Sequence, residues 1–459
     1  TLSLHDALPI SEMFDCPKGL RQGCCLSPTI FSVIINEVAV RVSEDGRHGI
    51  QMMPGFIELL IMLFADDIAL MSFSPSGLQS QLDLLNTLCT DLGLSINSDK
   101  SKIMVFRHGG YLSKYEKWYI DGCPLEVVNN YIYLGYKFTT TMSSIETAKH
   151  LAVKGRHATY NTIRAYNQLQ NMTSKTFFKI FDTMIQPILS YSSEVWGILV
   201  EPEKDPTEKI HLLACKRLLN VALRTPNKMT DGDLGRYPLR INYYVKALKY
   251  WFRLIQMDEG RLPKQAYKML VALDINGKLN WVTKLRTLIC RLGFSYVWLC
   301  QGVGNETSFI KCFRQRLVDT YTQEWHDGIV SSDRFILYRD FKNTLCIERY
   351  LDCINQKCFR DTLIRVRFGI SNLRVHKNRY VKNASCVNNH CSFCPNVDDD
   401  ELHMMFVCPA YNNFRSPLLS GIAPYNQRSQ YVTLMSSQRE SIIRHLAWFF
   451  FKCFQIHDS

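Results

Sequence analysis

The sequence predicts an α+β N-terminal part, then a long and mostly α-helical remainder with a small Cys/His module near its end. Three observations predict this. Between residues 12 and 142, segments of period-two apolar spacing alternate with segments of helical spacing. Beyond about residue 143 only the helical period persists. Near the C-terminus, Cys391, Cys394, His403 and Cys408 recur at spacings that suit a bound metal.

The elements follow in order. Residues 1–11, TLSLHDALPIS, resemble a translated adapter sequence and are set apart from the fold. GLRQGCCLSP is a loop that opens a helix, with Ser27 as cap and Pro28 at the first helical position. Ile30, Phe31, Ile34, Ile35, Val38 and Val42 form that helix's apolar stripe. IELLIMLFADDIALMSFS, Ile57 to Ser74, reads as a β-hairpin with Asp66 and Asp67 at its centre. Leu78, Leu82, Leu85, Leu88, Cys89 and Leu92 mark an amphipathic helix that Gly93 stops. LSINSDKSKIMVF reads as strand, turn, strand, and YIYLGYKFT as a further short strand. Residues 12–142 are thus expected to pack helices on an antiparallel sheet. The expected organisation continues with helical segments at 143–300, a basic helical region at 301–382, the Cys/His module at 383–415 and a last helix at 416–459.

A chain of 459 residues with 46% hydrophobic content can form two to four compact units with real cores. No apolar run is long enough to span a bilayer as a helix. The 17 cysteines are scattered, and adjacent Cys24 and Cys25 suit free thiols, so a reducing compartment, nucleus or cytoplasm, is expected rather than a secreted disulfide scaffold. Charge is uneven. Residues 1–150 hold 11 Lys and Arg against 16 Asp and Glu; residues 151–459 hold 43 against 26. From Arg360 to Lys382, Arg360, Arg365, Arg367, Arg374, Lys377, Arg379 and Lys382 face Asp361 as the sole acid. Nucleic acid is the natural polyanionic partner of such a stretch, although a solvated helix face has the same composition.

GLRQGCCLSP, then FADD, then NSDKSK, then YLGYKF, in this order and at these distances, resembles the reverse transcriptase of non-LTR (LINE-type) retrotransposons. The resemblance continues through ILSYSSEVWG, ACKRLLNVALRTPNKMTDGDLGRYPL and RFGISNLR to the Cys/His module, and covers nearly everything after residue 12. It implies a partial reverse-transcriptase palm at 12–142 and a helical thumb and connection after it. The implied activity is RNA-directed DNA polymerisation. RNA template, DNA primer or target and deoxynucleoside triphosphates would be the partners, with no membrane, and Mg2+ or Mn2+ the cofactor. Such a reaction is an in-line displacement at phosphorus served by two metal ions roughly 3.5–4 Å apart. Asp66 is the implied principal metal ligand, with Asp67 assisting. Lys100, spaced from Asn97, is the implied general acid or counter-charge for pyrophosphate. Gln22 and Gly23 resemble the loop beside the incoming nucleotide and template, and Tyr133, Leu134 and Gly135 the primer-grip strand. Phe64 would lie under the primer end, or would simply pack in the core. Arg365, Arg367, Arg374, Lys377 and Arg379 are the candidate contacts to nucleic acid, with Phe368, Tyr380 and Phe393 as candidate stacking rings.

The family's first catalytic aspartate lies upstream of the RQG loop. Here Glu12–Leu20 precede that loop, and Asp15 is too close to Gln22 to match it. The resemblance therefore implies an N-terminally truncated fragment with little or no polymerase activity as it stands; the alternative is a decayed or domesticated nucleic-acid-binding protein. In the Cys/His module, Cys391-x2-Cys394-x8-His403-x4-Cys408 offers tetrahedral Zn2+ ligands, and Cys386 or His390 could replace one of them. The module resembles the Cys/His finger at the C-terminus of this retrotransposon class, and a unit so small should couple metal binding to folding.

Overall fold

The computed structural model describes residues 25–44, 49–51, 58–107, 109, 110, 112, 116–168, 173–379, 388–419 and 426–457. Two compact units emerge. One comprises Thr1–Ile132, Thr139–Met142 and Gly260–Met269; the other comprises Tyr133–Phe138, Ser143–Glu259 and Leu270–Ser459.

In the N-terminal unit, helix α1 spans Ser27–Glu44. Only the later half of its apolar stripe is buried: Ile35, Val38 and Val42 lie in the core, whereas Ile30 is exposed. Strand β1 (Ile50–Gln51) pairs antiparallel with β2 (Glu58–Leu59). Strands β3 (Ile61–Phe64) and β4 (Asp67–Leu70) form the expected hairpin, in the register Ile61↔Leu70, Met62↔Ala69, Leu63↔Ile68 and Phe64↔Asp67. The pleat puts Ile61, Leu63, Ile68 and Leu70 on one face. Ile61, Ile68 and Leu70 pack there against Val38 and Val42 of α1 and against Leu85, Leu88 and Cys89.

Those last three belong to helix α2, Pro75–Asp91. Its start is set by Ser74, whose side chain accepts the Gly77 N–H at 3.1 Å, with Pro75 at the first helical position. Its end is set by Gly93 at φ +70°. Earlier on the same apolar face of α2, Leu82 packs with Ile103, Trp118, Ile120 and Leu125. Strand β5 (Lys102–Ile103) runs parallel to β8 (Glu126–Val127), and β6 (Tyr119–Ile120) pairs antiparallel with β7 (Cys123–Pro124). Gln79 of α2 exchanges two hydrogen bonds with the backbone of Tyr119, both 2.9 Å, and so ties β6 to the helix.

Three sequence expectations need correcting here. The antiparallel sheet is, among the described residues, a set of separate two-stranded ladders, one of them parallel. Leu94–Asn97 is not a strand; only β5 follows the Ser98–Lys100 turn. YIYLGYKFT is a hairpin of β9 (Asn130–Tyr133) and β10 (Tyr136–Thr139) rather than a single strand. Its two-residue loop has Leu134 at φ +49° and Gly135 at φ +78°, the left-handed pair that a tight hairpin requires.

The C-terminal unit is helical, as the periodicity predicts. Helix α3 (Ser144–Gln168) packs on α4 (Pro206–Leu218). Asp205 starts α4 by accepting the Thr207 N–H at 2.8 Å. Helix α5 (Lys357–Arg367) packs along α6 (Glu440–His457). One continuous core links Trp196, Tyr243, Trp325, Phe368, Met404 and Phe450. No helix among the described residues is long and apolar enough to cross a membrane.

Candidate functional site

The β3–β4 hairpin sets two adjacent carboxylates at the end of a strongly apolar segment. Phe64 and Asp67 face each other at the last pair, so the loop is only Ala65 and Asp66. Ala65 sits at φ +51°, a conformation that costs an L-residue on the order of 1–2 kcal/mol. Both carboxylates are exposed, and no ion pair among the described residues engages Asp66 or Asp67. The flanking strands bury their apolar face while the tip holds two negative charges in water, so neither is desolvated. Phe64 is 59% exposed, on the same face as Asp67 and Met62. That exposure answers the core-packing alternative: the ring lies outside the core.

Lys100 stands in a separate turn. Its N–H donates to Asn97 Oδ1 at 3.0 Å, which explains the Asn-x-x-Lys spacing as a turn-forming bond. Its ammonium is exposed, and no ion pair joins it to Asp66 or Asp67 among the described residues. Gln22 and Gly23 lie outside the described residues. In the C-terminal unit, Tyr191 Oη donates to Leu134 O at 2.7 Å, and a Cβ on Gly135 would stand 3.1 Å from the Tyr191 ring. Tyr133, half-buried, ends β9 beside this braced loop.

The Cys/His spacing folds into one cluster. The ligand atoms of Cys391, Cys394, His403 and Cys408 all lie within 4.8 Å of one another. Cys408 Sγ is 3.9 Å from Cys391 Sγ and 3.8 Å from Cys394 Sγ. Disulfide sulfurs would be about 2.05 Å apart. Metal–sulfur bonds of about 2.3 Å at tetrahedral angles give sulfur–sulfur edges of about 3.8 Å. Both ring nitrogens of His403 are buried without a hydrogen-bond partner. An orphaned imidazole beside three thiols at tetrahedral edge lengths fits a tetrahedral metal centre. Burial and the neighbouring Cys391 and Cys394 thiols push the Cys408 thiol up to about 12, a crowding that a bound cation would relieve. His390 lies outside the cluster and instead approaches Asp398 at 3.6 Å; Cys386 lies outside the described residues.

Local structure builds this centre. Asn389 O accepts the Asp399 N–H and Val397 O accepts the Cys391 N–H, both at 2.8 Å, closing a small loop that carries Cys391 and Cys394. His403 opens a π-helical turn, His403–Val407, that Cys408 follows, and the His403 N–H donates to Asp400 Oδ1 at 2.7 Å. Arg374 holds the loop from outside: its guanidinium donates to His390 O and Ser392 Oγ, both at 2.8 Å. The cluster shares the core of its unit through Met404, Met405 and Tyr411.

Comparison with known proteins supplies the family. Residues 10–138 match the family model described as reverse transcriptase (RNA-dependent DNA polymerase). Two sequences described as retrovirus-related Pol polyprotein from the type-1 retrotransposable element R2 of Popillia japonica are 24% and 25% identical over 242 and 236 residues. Residues 10–138 thus carry a reverse transcriptase domain, and its relatives are retrotransposon-derived. An uncharacterized transposon-derived protein of Caenorhabditis elegans is 28% identical over 187 residues, 40% of this chain. Each R2 match covers 49% of this chain. The chain spans 63% of the nematode relative and 37% and 31% of the two R2 relatives.

The basic segment differs from its sequence reading at several positions. Arg367 is not a surface cation. It is 4% exposed, donates to Asp233 at 2.9 and 3.2 Å and to Met435 O at 2.8 Å, and lies against the Phe341 and Tyr350 rings. Tyr338 and Tyr350 donate their hydroxyls to the same Asp233, both at 2.8 Å. Burial alone would raise the Asp233 pKa, but Arg367 and nearby Lys342 bring it below the ordinary carboxylate range. Arg374 is half-buried and used up in bracing the metal-type loop, as above. Phe368 is 1% exposed and unavailable for stacking. Arg365, Lys377, Arg379 and Phe393 remain exposed; Lys382 and Tyr380 lie outside the described residues.

Proposed function

We propose that the chain is part of an RNA-directed DNA polymerase that adds deoxynucleotides to a DNA primer along an RNA template. The observation that carries this reading is the family match over residues 10–138, within which Asp66 in a two-residue hairpin loop and Asp67 at the start of β4 are both exposed. In this reading residues up to 142 form the palm and the helices after them the thumb and connection. Asp66 is the principal ligand of Mg2+ or Mn2+, and Asp67 assists; an all-oxygen donor pair suits such hard cations. When bound there, the divalent ions stabilise the attacking and leaving oxygens of the displacement at phosphorus. The protein's own part is to hold that charge on a short, braced hairpin. Phe64, on the same face as Asp67, offers an aromatic surface to the primer end, and Lys100 a counter-charge for pyrophosphate. Zn2+ bound by Cys391, Cys394, His403 and Cys408 would rigidify the C-terminal unit, and Arg365, Lys377 and Arg379 would meet template or target phosphates.

A second reading, a nucleic-acid-binding protein without catalysis, is favoured by one observation. Among the described residues no third Asp, Glu, His or Cys joins Asp66 and Asp67 in a metal-holding group. Polymerisation by this chain alone is therefore expected close to background. Primer extension on an RNA template, comparing the chain with Asp66→Asn, separates the two. Weak incorporation that Asp66→Asn removes supports the polymerase; equal incorporation by both contradicts catalysis and leaves the binding reading.

A further inference from the structure

Between α5 and α6 lies a cavity of about 500 Å³ that neither the hairpin nor the Cys/His cluster uses. Its walls include Thr362 and Arg365 from α5, Asn372 from the loop after it, and Phe451, Phe454 and Gln455 from α6. Phe451 and Phe454 are three residues apart and so share a helix face. Both are half-buried, and Phe451 is backed by Phe359 at 4.8 Å between ring centroids, which holds it in place. Arg365 is exposed at the cavity wall. Asp361, one turn earlier, accepts from Asn220 Nδ2 at 2.7 Å and also feels the Arg365 charge.

We propose that this cleft binds one nucleotide of a single-stranded nucleic acid, with its base against Phe451 and Phe454 and its phosphate on Arg365. The inference rests on the reading of the C-terminal unit as a nucleic-acid grip and assigns that grip a particular place. Two rings beside an exposed guanidinium supply the stacking surface and the phosphate contact that single strands need. The amides of Asn372 and Gln455 can each donate and accept, as base edges do. An apolar peptide would bury the Arg365 guanidinium without supplying it an anion, which is costly. A duplex keeps its bases stacked on one another and could not enter.

The test uses the full chain and a fluorescein-labelled oligothymidylate, read by anisotropy, alongside the same oligonucleotide carrying abasic sites. Phe454→Leu is expected to weaken binding roughly tenfold, and Phe454→Trp to preserve it. Arg365→Gln should weaken binding and lower the salt slope by about 0.7. Abasic sites should weaken binding to the wild-type chain and add nothing to the loss in Phe454→Leu. If Phe454→Leu loses helicity by circular dichroism, Phe454→Trp and the abasic oligonucleotide still decide. Binding by the wild-type chain that neither variant nor abasic sites change would overturn the cleft. So would a loss confined to Arg365→Gln, which means a phosphate contact with no base beside it. If the wild-type chain binds no oligonucleotide at all, the underlying reading fails and the cleft with it.

Discussion

Replacing Arg367 with alanine separates a structural arginine from a nucleic-acid contact. The substitution removes two bonds to Asp233, one to Met435 O, a 3.4 Å ion pair with Glu348 and the packing against Phe341 and Tyr350. Asp233, itself 0% exposed, is left with two tyrosine hydroxyls as direct partners. Breaking a buried pair from one side costs about 3–5 kcal/mol because the remaining charge stays desolvated. A surface arginine would cost within about 0.5 kcal/mol. Urea unfolding followed by tryptophan fluorescence reads the difference, since Trp325 is buried in the same core. Removing both charges with Asp233→Asn and Arg367→Met should restore most of the loss. The pH dependence has a definite sign. The folded-state pKa of Asp233 is lowered, so its contribution is present above about pH 4 and disappears as pH falls through that lowered value. An Arg367→Ala chain within about 1 kcal/mol of wild type, yet defective in oligonucleotide binding, would refute this assignment.

Three further outcomes are expected. Cys391→Ser combined with His403→Ala should abolish stoichiometric zinc by elemental analysis and lower the melting temperature; unchanged zinc would reject the ligand set. Burial raises Asp231 to about 7 despite its 2.6 Å bond from Tyr321, so stability should fall as pH rises from about 4 to 7, by on the order of 4 kcal/mol in total. Asp231→Asn should flatten that slope in urea titrations at successive pH values, and an unchanged slope would place the titration elsewhere. Gly135→Ala, at φ +78° and 3.1 Å from the Tyr191 ring, should cost about 1–2 kcal/mol and speed amide exchange in β10; unchanged exchange would mean the loop tolerates a side chain.

What was legible in the sequence was whatever depends on near neighbours. The Ser74–Asp91 region shows its apolar period, and Gly93 its stop, within one helix length. The Ile61–Leu70 hairpin shows its alternation on either side of Asp66. Cys391, Cys394, His403 and Cys408 lie within 18 consecutive positions, so their spacing could be judged directly. What was not legible depends on long-range pairing. Arg365 and Arg367 look alike in a basic run, yet one reaches solvent and the other meets Asp233, 134 positions away. Helical spacing does distinguish them in retrospect, because Leu363, Ile364, Val366 and Arg367 all lie on the buried part of α5. The strands misled for a related reason. Short apolar alternations specify a ladder but not its second neighbour, so an expected sheet resolves into pairs. The Leu134–Gly135 turn carried its glycine signal openly; reading YIYLGYKFT as one strand passed over it.

A divalent ion held at the hairpin tip can be tested by iron-directed cleavage, without needing activity. With Fe2+ standing in for Mg2+, and ascorbate and peroxide added, hydroxyl radicals cut the backbone next to the bound ion. The wild-type chain should be cut between Phe64 and Ile68, excess Mg2+ should suppress the cut, and Asp66→Asn should lose it. Identical cleavage in both chains, or none at the hairpin, would contradict a metal site at Asp66.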